Sequence, residues 1–120
     1  MVDAKAIEKG IAAHAAWKAR LRAAISSGKF EVSVATVGMD NQCEFGKWLY
    51  GLSADDTQTG HFSTVKKLHA QFHQEAAKVV TWATTGQTGK AEEAIGMEGN
   101  YANVSADLTR AMVAWRTSLA

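Results

Sequence analysis

The chain has no proline, a single cysteine, and no excess of charge of either sign. Without proline, nothing in the sequence forbids long helices. The one cysteine, Cys43, has no intramolecular disulfide partner, which fits a reducing compartment. The longest apolar runs are too short to span a bilayer, and the opening MVDAKAIEKG lacks the apolar core of a signal peptide. A cytoplasmic location with no membrane contact is therefore expected. Thirteen Lys and Arg against twelve Asp and Glu leave a net charge of +1, with no basic stripe for nucleic acid. What remains is 120 residues, 47% hydrophobic and 21% charged, the size and composition of one globular domain over residues 1–120.

Helical periodicity dominates. From about Asp3 to Ser27, Ile7, Ile11, His14, Lys18, Leu21 and Ile25 recur at alternating spacings of three and four, the stripe of a packed helix. Gly28 is placed to cap it in the left-handed conformation. FEVSVATVGMDN alternates like a strand, but no second strand is available, so it is expected as an extended connector. Asp40 or Asn41 is placed to cap a short helix starting near Gln42 and carrying CEFGKWLYG. A helix from about His61 to Thr85 has Val65, Leu68, Phe72, Ala76 and Val79 as its core stripe. A last one, from about Lys90 onward, uses Tyr101, Val104, Leu108, Met112, Trp115 and Leu119. The expected fold is all-α: an antiparallel helical bundle of about four helices plus a short Cys-bearing helix.

Three places carry possible chemistry. His69 and His73 are four apart on a helix, so their Cβ atoms lie roughly 6 Å apart and two imidazoles can converge on one ion. Taken alone, the pair is as readily two solvated residues on a helix flank. His14 falls in an apolar stripe, where an imidazole needs a hydrogen-bond partner or a ligand. Cys43 sits in the expected first turn of the short helix, where free N–H groups favour thiolate; a lone buried cysteine otherwise serves as a small hydrophobe.

The segments HAAW (His14 to Trp17), CEFGKW (Cys43 to Trp48) and HAQFH (His69 to His73) resemble, in order, the signature of the chemoreceptor zinc-binding (CZB) domain family. That signature reads His-x-x-aromatic, Cys-x-apolar-Gly-x-aromatic, His-x-x-x-His. Each fixed position is filled here, with gaps of 28 residues from His14 to Cys43 and 25 from Cys43 to His69. The resemblance implies a helical bundle, commonly a homodimer, with one zinc per chain held by His14, Cys43, His69 and His73. It implies a regulatory module of a chemoreceptor or diguanylate cyclase type signalling partner, in cis or in trans. The implied signals are zinc availability and oxidants, such as hypochlorous acid, that attack the bound thiolate.

Three imidazoles and a thiolate fill a tetrahedral zinc shell, which leaves no position for an activated water, so no enzymatic activity is expected. The alternative function is a purely structural, zinc-stabilised dimerisation module. Trp17 is expected beside His14. Gly46 is expected to admit close approach of the first or third helix, and Trp48 to anchor the short helix. His61, two turns from His69, is read as a solvated or capping residue, and neither Glu44 nor Glu75 has an assigned role.

Overall fold

The computed structural model describes residues 2–119. Among the described residues there is no strand. The helices are α1 (Ala4–Ala15), α2 (Trp17–Ser27), α3 (Val34–Val37), α4 (Glu44–Tyr50), α5 (Gly60–Thr84), α6 (Thr88–Ile95) and α7 (Asn100–Ser118), with a 3-10 turn at Asp56–Gln58. The protein is an all-α bundle. Its spine is α5, which packs along α7 and also against α2, α3 and α6, while α1 lies against α7 and α4.

Capping sets several of the boundaries. The Asp3 carboxylate accepts from Lys5 N–H at 2.9 Å to start α1, and Thr59 Oγ1 accepts from Phe62 N–H at 3.1 Å to start α5. Gly28 ends α2 at φ 71°, the left-handed cap expected of it.

The structure departs from the sequence reading in four places. The first expected helix is interrupted at Ala16, between His14 and Trp17. Its buried face is Ile7, Gly10, His14, Trp17, Leu21 and Ala24, and Lys18 is exposed. The same three-four rhythm is thus displaced toward the Trp17 side, where the larger apolar surface lies. The expected extended connector contains a short helix, α3. Ser33 caps it by accepting from Thr36 N–H at 3.2 Å, and Val37 is buried. The short helix starts at Glu44, not near Gln42, and its N-cap is Cys43 itself rather than Asp40 or Asn41. The last expected helix is two, α6 and α7, broken at residues 96–99. Glu98 there adopts φ 71°, and a Cβ on Gly99 would collide with the carbonyl oxygens of Glu93 and Ala94. Each of the two glycines lowers helix propensity by about 1 kcal/mol, which makes this the weakest point of the segment.

Candidate metal centre

His14 enters the site from the last turn of α1. Its Nδ1 is 2.7 Å from the Gly10 carbonyl oxygen. A carbonyl only accepts, so Nδ1 carries the proton and Nε2 keeps its lone pair. That Nε2 is buried and has no hydrogen-bond partner. His73 is held in the same way from α5: its Nδ1–H donates to the Val37 carbonyl at 2.9 Å, again freeing Nε2. This bond makes α3, the segment expected to be a mere connector, a support of the site.

His69 lies one turn before His73 and is fully buried, as His73 nearly is, rather than on the flank of the core stripe. Its Nε2 is 3.2 Å from His73 Nε2 and 3.3 Å from Cys43 Sγ. Cys43, half-buried at the N-cap of α4, accepts at Sγ from Gly46 N–H at 3.3 Å. One donor atom from each of the four residues lies within 4.8 Å of all the others.

These separations fit a cation better than a hydrogen-bond network. Donors at the corners of a tetrahedron with zinc bond lengths stand about 3.3–3.6 Å apart, close to the 3.2 and 3.3 Å that separate His69 Nε2 from His73 Nε2 and Cys43 Sγ. One proton placed on His69 Nε2 would bridge to His73, yet His14 Nε2 would still be a buried lone pair facing others. The donor set, three neutral imidazoles and a thiol, is the chemistry that zinc selects.

Burial sets the electrostatics. It pulls the His14 pKa down to about 4, partly opposed by the Gly10 carbonyl and aided by His73. It pulls His69 down to about 2, with His14 and His73 adding to the effect. His73 is lowered as well, against the Val37 hydrogen bond and Asp40. All three are therefore neutral near pH 7, the ligating form. Burial pushes the Cys43 thiol up, outweighing the hydrogen bond from Gly46 N–H. The start of the helix alone does not make the thiolate that the sequence suggested; a bound cation has to supply the stabilisation.

Aromatic side chains wall the cluster. The Phe45 ring lies 5.7 Å from that of His14 and 5.3 Å from that of His69, and Phe72 lies 4.9 Å from His14. Trp17 shares the buried face of His14, and its ring lies 6.0 Å from that of His73 and 6.3 Å from that of Phe72. Trp48 anchors α4 by packing on Phe45 and Trp115 at 5.5 and 5.7 Å. Gly46 does admit a close approach, but of the Asp40 carbonyl and Asn41 rather than of another long helix.

Gly10 is the residue the sequence reading missed. A Cβ there would lie 2.8 Å from Met112 Cε and 2.9 Å from Phe45 Cε1. The available signal was a glycine in register with Ile7, His14 and Leu21 on one helix face.

A groove of about 320 Å3 between α1 and α4 reaches His14 and Cys43 but not His69 or His73. A larger hollow, about 610 Å3, lies away from this chemistry beside Trp82 and Met97. His61 is exposed and outside the cluster, and Glu75 pairs with Lys78 at 2.9 Å. Among the described residues, no helix is long and apolar enough to cross a membrane.

The family model described as the chemoreceptor zinc-binding domain matches residues 14–80, more than half of the chain and a span that begins and ends around the four clustered residues. No curated protein and no solved structure matches the chain.

Proposed function

The chain belongs to the chemoreceptor zinc-binding domain family, and on that premise we propose that His14, Cys43, His69 and His73 hold one zinc ion in a regulatory domain whose signal is metal occupancy or Cys43 oxidation. The observation that carries this reading is the convergence of three imidazole nitrogens and one sulfur, with His14 Nε2 buried and unpartnered. A zinc ion held by these four residues would cross-link the protein segments that carry them. The segments so tied are α1, α4 and α5, so loss of any donor loosens their arrangement. Because the four side chains fill the shell, the proposed domain has no catalytic activity of its own.

Cys43 is the natural point of control. It is the only thiol, is half-buried, and forms part of the groove wall. Hypochlorous acid attacking the thiolate transfers oxygen to sulfur: RS⁻ + HOCl gives RSOH + Cl⁻. The sulfenic acid is a poor ligand, and a thiol reductant returns it to the thiol. The relayed change is movement of α4, and the recipient is a chemoreceptor or diguanylate cyclase type partner, in cis or in trans, in the cytoplasm. The working unit is a homodimer, with the exposed Val34, Met39 and Tyr50 among the side chains available to bury. Sedimentation showing a monomer at high micromolar concentration would remove that element of the reading.

The test compares wild type with Cys43→Asp. Wild type is expected to carry about one zinc per chain and to give it up to a chromogenic chelator on treatment with hypochlorous acid, as mass spectrometry records oxidation of the Cys43 peptide. Cys43→Asp keeps an anionic ligand and is expected to hold zinc through the same treatment. Equal release from both proteins, or release with Cys43 still reduced, rules out oxidation as the signal. The deep burial of His69 and His73 favours a second reading, a permanent structural clamp in a dimerisation module. The two separate under native conditions: a sensor exchanges zinc with the chelator while folded, and a clamp releases it only on unfolding.

A further inference from the structure

Gly10 lies outside both the matched segment and the signature motifs, yet its surroundings tie it to the metal centre. It is buried in the interior of α1. Helical backbone gives no conformational reason for glycine, which weakens a helix relative to alanine. The reason is space. An added Cβ would stand 2.9 Å from Phe45 Cε1 and closer still to Cδ1, with Met112 Cε at 2.8 Å. Met112 presents the end of a flexible side chain that can turn aside. The Phe45 ring cannot easily do so, since it is boxed by His14, His69 and Trp48 at centroid distances of 5.7, 5.3 and 5.5 Å. Displacing that ring displaces α4, and Cys43 caps α4 only two residues away.

We infer that Gly10 is a positioning residue for the metal centre: its missing side chain lets Phe45 seat against α1, and that seating brings Cys43 Sγ to the three imidazoles. The same residue's carbonyl fixes the His14 tautomer through the 2.7 Å hydrogen bond to Nδ1. Gly10 therefore governs His14 through its backbone and Cys43 through the space it leaves. This inference rests on the reading of the four clustered residues as ligands.

Cobalt(II) substitution tests it, because the sulfur-to-cobalt charge-transfer band in the near ultraviolet reports the bond to Sγ directly. Gly10→Ala is expected to lose or weaken that band and to bind zinc about 10–100-fold more weakly, as disturbed supporting groups of metal sites do. Circular dichroism should retain its helix content, since alanine is the better helix former. Gly10→Ala/Phe45→Leu, in which the shorter side chain leaves room for the new methyl, is expected to regain the band. A full band with unchanged zinc affinity in Gly10→Ala overturns the inference. If Gly10→Ala does not fold, the double variant decides: a folded protein with the band supports the inference, and one that is unfolded or lacks the band overturns it. A missing band in the unmutated protein would be a different failure, removing the ligand reading and this inference with it.

Discussion

The two halves of the donor cluster are built differently. His69 and His73 stand one turn apart on α5, a 25-residue helix packed on several sides, and their side chains are 0% and 2% exposed. Cys43 is the cap of a seven-residue helix and is half-exposed beside a groove. Helices this short have little stability without their tertiary contacts. One half is therefore fixed by the core, and the other is held largely by what it touches. A metal shared by the two halves would respond first to any change at the movable one, which makes α4 the element to watch in the proposed oxidation of Cys43. His14 lies between these extremes: it is buried, but it is two residues from the interruption at Ala16.

The largest effects should come from cutting the fixed half. His69→Ala or His73→Ala is expected to lower zinc affinity by more than about 100-fold, beyond the range for supporting groups. In metal-stripped protein, each should also cost about 2–4 kcal/mol by opening a cavity in the core. Cys43→Ala should likewise abolish tight zinc binding, yet cost under about 1.5 kcal/mol in the stripped protein, because the site it vacates is half-open and shallow. Urea melts of the metal-free variants measure the difference. Equal losses for the histidine and cysteine variants would mean that α4 is as firmly part of the core as α5, and the two-part description would fail.

Periodicity marks His69 and His73 as a pair one helical turn apart and His14 as an interruption of an apolar stripe, but only the resemblance to the family motifs joins them and Cys43 into one set. The four residues assigned by motif are the four that the fold brings together. Less legible was everything set by tertiary packing. Both Lys18 and Trp17 fit a helical stripe, and only contact with neighbouring helices selects Trp17. FEVSVATVGMDN alternates like a strand, but a Ser33 cap and a buried Val37 override that pattern over four residues. The carbonyls that orient His14 and His73 belong to Gly10 and Val37, and backbone acceptors leave no mark in residue identity. Gly96 and Gly99 lower helix propensity where the break falls, but the stripe that continues beyond them reads as one helix.

The sharper test is pH, where the two halves should fail on opposite sides. In metal-free protein the folded-state pKa values of His14 and His69 are lowered to about 4 and about 2, and that of His73 is lowered too. An unfolded chain takes up protons at these histidines below about pH 6.5, where the folded protein does not. Unfolded chains then bind more protons, so stability falls as pH falls from about 6.5 toward the folded values, by up to about 1.4 kcal/mol per pH unit for each histidine that stays neutral. Cys43 has the opposite sign. Its folded-state pKa is raised, so its contribution is complete below the unfolded thiol value of about 8.5 and is lost as pH rises above it. Thermal melts of the stripped protein between about pH 5 and pH 9.5 should therefore give a plateau flanked by two declines, the acid one exceeding about 5 °C by pH 5. Cys43→Ala should flatten only the alkaline decline. His61→Ala, which removes an exposed histidine outside the cluster, should leave both unchanged and control for histidine content alone. An acid decline that disappears in His61→Ala, or an alkaline one that survives Cys43→Ala, would show that the buried cluster is not the source of the pH dependence.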